Sequence, residues 1–197
     1  MGESIESILL HSRVDSTSLD YIIVKDLLRF VLYECYPSVK WRPTGVFASE
    51  SVNPPLSPAI KSAVKMYLEM NSDNIREDYE LDFLSKENVT IQGYLNELLC
   101  LKLIFENKLF YDRSFLEFLS TCAEYSMLSY WRGIELAALL TLHVICIMMQ
   151  EMRECGKIPQ DAWKSFDEFC VAYVTNEIRT KKLKKPKRRW RRLFCTI

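Results

Sequence analysis

Seven cysteines and two histidines are the side chains of this 197-residue chain best suited to hold a borderline metal such as zinc, and the cysteines are its most reactive candidate nucleophiles. A zinc site needs such groups in close pairs, and a thiol nucleophile needs an activating base beside it. Here Cys35, Cys100, Cys122, Cys146, Cys155, Cys170 and Cys195 are widely spaced, mostly within apolar runs, and form no CxxC pair. The pattern predicts buried free thiols in a reducing compartment, not disulfides or a metal centre. His143 stands among apolar residues and reads as a core histidine with its ring satisfied. There is no Gly-rich phosphate loop, HExxH or nucleophile elbow, so the sequence offers no catalytic residue, metal site, cofactor or small-molecule substrate. An enzyme is the class with least support.

Charge is more informative. Lys+Arg and Asp+Glu balance at 26 each, but nine of the twelve residues from Lys181 to Arg192 are cationic. Residues 1–180 therefore hold 17 cations against 26 anions, a net of −9, and the tail carries +9. A like-charged run is solvated by default. It also suits an anionic lipid surface, worth about 1 kcal/mol per Lys or Arg. Lys184, Lys185, Arg188 and Arg189 would make that contact, and Trp190 would insert at the interface. A nucleic-acid-binding helical protein is a rival from another class. Against it, the acidic remainder would repel phosphate and no recognition motif accompanies the basic run.

The elements that position these groups read as helices. Five glycines and abundant Leu, Glu, Lys and Met predict an all-α chain. Residues 1–17 read as a flexible N-terminus with no secretory signal, 18–180 as one helical bundle, and 181–197 as a basic tail that could lead to a membrane anchor. Ile23, Leu27, Phe30 and Val31 fall at helical spacing, with Ser18 or Asp20 as cap and Pro37 as stop. Residues 36–57 are dense in Pro and Ser and read as a long loop, a length often tied to regulation or disorder. Ser57-Pro58 opens the next helix, whose stripe is Val64, Leu68, Ile75, Tyr79 and Phe83. Helices around Ile91–Phe105 and Ser114–Glu124 follow. Gly156 and Pro159 punctuate the chain before an amphipathic helix through Trp163, Phe166, Cys170, Tyr173 and Val174. Between them, Leu136 to Met149 holds no charge over 14 residues. That is short of the roughly 20 residues a bilayer span needs, so it reads as the buried central axis of the bundle.

Several of these stretches, in order, resemble the homology motifs of the Bcl-2 family. "VKMYLEMNSDNIREDYELDF" resembles the death-motif helix, with Val64, Leu68, Asn71 and Ile75 at the apolar positions, Ser72 as the small residue and Asp73 as the acid. "SYWRGIELAALL" resembles the motif that opens the central helix, although the family's Trp-Gly-Arg order is inverted at Trp131-Arg132-Gly133. "IIVKDLLRFVLYECYPSVKW" resembles the N-terminal fourth motif, with Trp41 as its distal tryptophan. The resemblance implies a Bcl-2-like bundle around a central apolar helix, with a groove that receives an amphipathic partner helix. Its lining by position would be Ile75, Tyr79 and Phe83, with Tyr130, Arg132, Gly133, Leu136 and Leu140 on the central helix. Gly133 would admit a partner backbone, and Trp131 would anchor the core. The separation of Asp73 from Trp131 implies an extra helix around Ile91 to Phe110.

The function so implied is regulation of apoptosis by capture of pro-apoptotic relatives through their death-motif helices, in the pro-survival sense. The location implied is cytoplasmic, with association at the mitochondrial outer membrane. An executioner of the same fold, which permeabilises that membrane, is the alternative sense.

Overall fold

The computed structural model describes residues 14–51, 56–83, 89–107 and 110–184. Among the described residues there are six α-helices and no strand. They are α1 (Leu19–Phe30), α2 (Pro58–Phe83), α3 (Ile91–Glu106), α4 (Asp112–Trp131), α5 (Ala137–Glu154) and α6 (Ala162–Lys184). The all-α expectation is met. No helix of the described residues is long and apolar enough to cross a membrane.

Local chemistry starts and stops these helices. Ser18 Oγ accepts from Tyr21 N–H at 3.2 Å, Ser57 Oγ from Ile60 N–H at 3.1 Å, and Thr90 Oγ1 from Gly93 N–H at 3.0 Å. Each satisfies an orphan donor of a first helical turn. Asp20 does not cap α1. Its carboxylate accepts from Arg153 at 2.7 Å and from Trp163 Nε1 at 2.6 Å, tying α1 to α5 and α6. α1 widens into a π-turn at Val31–Cys35 before Pro37 ends it. Where described, the long segment after it is anchored, not loose: Trp41 and Phe47 are buried and meet edge-to-face at 5.6 Å. Arg29 donates to the Phe47 carbonyl at 2.8 Å.

The stretch from Ser129 to Met152 is two helices, which corrects the single-helix expectation. Gly133 N–H bonds to Tyr130 O at 2.9 Å and Ile134 N–H to Ser129 O at 3.0 Å, the paired closure of a Schellman motif. Gly133 sits at φ +97° in that motif, and a Cβ built there would meet nothing within 4 Å. Within the chain the glycine serves backbone conformation and not a close packing contact. Gly156 repeats the device after α5 at φ +68°, with Lys157 N–H on Met152 O at 2.8 Å.

The element that meets most of the others is α4. It packs against α2, α3, α5, α6 and the π-turn of α1, whereas α5 packs against α1, α3 and α4. Hydropathy alone favours α5, because α4 carries Ser120, Glu124, Ser126 and Ser129 in fully buried positions. Neighbours make burial of two of these tolerable. Glu124 accepts from Arg76 Nε at 2.9 Å and from Tyr36 OH, and Ser129 Oγ lies 2.9 Å from Tyr79 OH. An aromatic cluster closes the far end of α4, with Phe105–Phe118 stacked at 4.6 Å and Phe115 against Phe166 at 5.0 Å and Trp163 at 5.3 Å.

Candidate functional site

α2 lies on α4 and α6, and α3 lies on α4 and α5. Between α2 and α3 runs a cleft of about 260 Å³ with α4 as its floor. α2 contributes Tyr67 and Asp78 to one wall, and α3 contributes Leu101, Ile104 and Phe105 to the other. The floor is Ser114, Glu117, Phe118 and Thr121. Tyr67 and Asp78 are eleven residues apart, so at about 1.5 Å per residue the α2 wall is roughly 16 Å long, or three helical turns.

The cleft is apolar along α3 and polar along α2. Ile104 is 56% exposed at its lip, while Phe105 and Phe118 are buried beneath it. On the α2 side Asn71 Nδ2 donates to the Tyr67 carbonyl at 2.8 Å, a bond internal to the helix. Burial pushes the Tyr67 phenol above its ordinary value; nearby Glu117 adds to this and Arg113 opposes it. Arg113 and Glu117 pair at 3.2 Å on the same face of α4, and the Arg113 guanidinium lies over the Tyr173 ring of α6 at 5.8 Å.

The residues singled out from sequence take other places. The α2 stripe, Val64, Leu68, Ile75, Tyr79 and Phe83, is buried, as is Leu140 on α5. Ile75, Tyr79, Phe83 and Leu140 are thus core residues, and none lines the cleft. An apolar stripe specifies that a face is covered; it does not specify by what. Ser72 is half-buried and Asp73 exposed on α2. Tyr130, Arg132, Gly133 and Leu136 gather at the α4–α5 turn. There Arg132 Nη2 donates to Glu80 at 2.5 Å and its guanidinium sits 5.1 Å from the Tyr79 ring centre. Trp131 is 72% exposed at the last turn of α4 and does not anchor the core. Lys184 is the last residue of α6. Lys185, Arg188, Arg189, Trp190 and Cys195 lie outside the described residues, as do 1–13.

Cys122, Cys146 and Cys170 are buried free thiols, Cys35 is half-buried, and Cys100 and Cys155 are exposed. Burial pushes the Cys170 thiol up to about 12 and Cys35 to about 11. His143 Nδ1 lies 2.8 Å from the Leu139 carbonyl.

Sequence reading missed Leu101, Ile104, Phe118 and Arg113. One signal was present: Ile91–Glu106 holds more apolar residues than one buried face can take, and Leu103 and Ile104 are each left 56% exposed. No protein-family model matches the chain, and neither a curated protein nor a solved structure matches it significantly.

Proposed function

We propose that this chain is a Bcl-2-like regulator of apoptosis that captures amphipathic death-motif helices of pro-apoptotic relatives, in the pro-survival sense. The observation that carries the reading is the cleft between α2 and α3 over α4. Its three-turn wall suits a helix presenting apolar anchors at i, i+3/i+4 and i+7. Two features support it. α2, which bears the Leu68, Ser72 and Asp73 pattern, forms one wall of the cleft, and the bundle is wrapped about a single helix, α4. In this form of the reading the axis is α4, and the groove residues are Tyr67, Leu101, Ile104, Phe105 and Phe118. The cationic segment from Lys181 onwards would add affinity for the anionic surface of the mitochondrial outer membrane.

Isothermal titration with amphipathic death-motif peptides tests the capture step. Ile104→Glu places a charge at the exposed lip, so it should leave the thermal melt unchanged and weaken binding at least about thirty-fold, the cost of desolvating an unpaired carboxylate. No heat with any peptide of a panel would sink the mechanism. A cell-death assay sets the sense: protection is expected, and killing by the native chain would move it to the executioner alternative.

A further inference from the structure

A second hollow, of about 310 Å³, lies where α1 gives way to the segment after it, and it shares no lining residue with the cleft. Leu32, Tyr33, Pro37, Lys40 and Trp41 line it. Leu32 and Trp41 are buried, whereas Tyr33, Pro37 and Lys40 are exposed. The walls are held in place. Trp41 packs edge-to-face on Phe47, whose carbonyl accepts from Arg29, and the Arg29 guanidinium lies 5.3 Å from the Tyr33 ring centre. Lys40 is the one non-glycine residue with positive φ among the described residues, at +54°, a conformation that L side chains rarely adopt. Its N–H closes a turn on the Pro37 carbonyl at 3.2 Å.

The charge of this surface is opposite to that of the body around it. Residues 35–49 hold Lys40 and Arg42 and no acid, in a body of net −9. The acids on either side of the stretch are engaged, Glu34 with Lys61 at 3.7 Å and Glu50 with Arg29 at 3.7 Å. Lys40 and Arg42 are exposed and form no ion pair among the described residues, and residues 52–55, which follow in the chain, carry no charge. A phosphate is poorly served here, because the Val39 and Lys40 amides that would cradle it are spent on the Tyr36 and Pro37 carbonyls. A single carboxylate needs only one of the two cations.

We propose that this hollow binds an acidic peptide segment of a partner protein, with an aromatic side chain seated against Tyr33 and Trp41 and a neighbouring Asp or Glu paired with Lys40 or Arg42. The volume is at the small end of ligand sites and suits one such side chain. The ring supplies contact area and the carboxylate supplies the choice of partner. The segment need not be helical, so the site is separate from capture in the cleft and stands independently of it.

The test uses the full chain and three capped synthetic peptides: one Phe flanked by two Glu, the same Phe flanked by two Lys, and a Gly flanked by two Glu. Titration followed by 1H–15N NMR at 50 mM salt should show the Phe–Glu peptide binding about ten-fold tighter than either of the others, with shifts at Tyr33, Lys40 and Trp41. Its advantage over the Lys peptide should shrink at 1 M salt. Lys40→Gly removes the cation and keeps a residue suited to φ +54°, so it should leave the thermal melt nearly unchanged and weaken the Phe–Glu peptide about three- to five-fold. Tyr33→Ala, at a 53% exposed position, should weaken it by at least about as much. Ile104→Glu should leave this binding unchanged; a loss there would seat the peptide in the cleft and overturn the proposal. Equal binding of the Glu and Lys peptides, binding of neither, or undiminished binding by Lys40→Gly or Tyr33→Ala overturns it as well. So does tighter binding of adenosine monophosphate than of the Phe–Glu peptide, which would assign the hollow to a nucleotide.

Discussion

Replacing Arg76 by Met isolates the most exposed weakness of the core, the carboxylate of Glu124. That side chain is 0% exposed on α4, and it is held by Arg76 from α2 and Tyr36 from the end of α1. Burial raises the Glu124 carboxyl above its ordinary 4.5, against the opposing effects of its bonds to Tyr36 and Arg76. Its raised value means that the neutral form is the one the interior prefers. The associated stability is present below about pH 4.5 and is lost as pH rises through the folded value. Removing Arg76 takes away an opposing effect and pushes the folded value higher still.

Breaking a buried pair costs about 3–5 kcal/mol. Arg76 is itself 43% exposed, so water recovers part of that. The stranded carboxyl can also escape by protonation, at about 1.4 kcal/mol per pH unit above its raised folded value, which holds the loss below about 5 kcal/mol at pH 8 and below about 1 at pH 5. The expected loss for Arg76→Met is therefore about 2–4 kcal/mol at pH 8 and under about 1 at pH 5. Urea unfolding followed by far-UV circular dichroism measures both. The double variant Arg76→Met, Glu124→Gln should recover most of the pH 8 loss, with a coupling of about 2 kcal/mol. Equal losses at the two pH values, or a pH 8 loss below about 0.5 kcal/mol, would refute the reasoning.

Other outcomes follow from the same structure. Gly133→Ala should cost about 1–2 kcal/mol through its φ of +97° and not through a clash, and an unchanged urea midpoint would contradict the Schellman assignment. Phe115→Ala should cost about 3–5 kcal/mol, because a fully buried ring in contact with Phe105, Phe110, Trp163 and Phe166 leaves a cavity its neighbours cannot close. Mass spectrometry after brief alkylation of the native protein should find Cys100 and Cys155 labelled, with Cys122, Cys146 and Cys170 labelled only after unfolding. Rapid native labelling of Cys122 would place α4 nearer the surface than the packing allows.

What the sequence by itself determined was local. The serine and threonine caps, the Pro58 start, the α2 stripe and the Gly156 stop depend on residues within a turn or two of one another, and periodicity reports them directly. The residues Trp131-Arg132-Gly133 belonged to the same local code, since a glycine after an apolar helical run marks a C-terminus. The motif resemblance drew them instead into the start of the next helix. Only tertiary structure decided which helix is central. α4 tolerates four buried polar residues, two of them bonded to Tyr36, Arg76 and Tyr79, which are between 48 and 88 positions away in sequence. It likewise decided where the cleft opens. The apolar surplus of α3 is visible along the chain, but whether another helix covers it depends on how α2 and α3 are set apart on α4, and no single helix encodes that spacing.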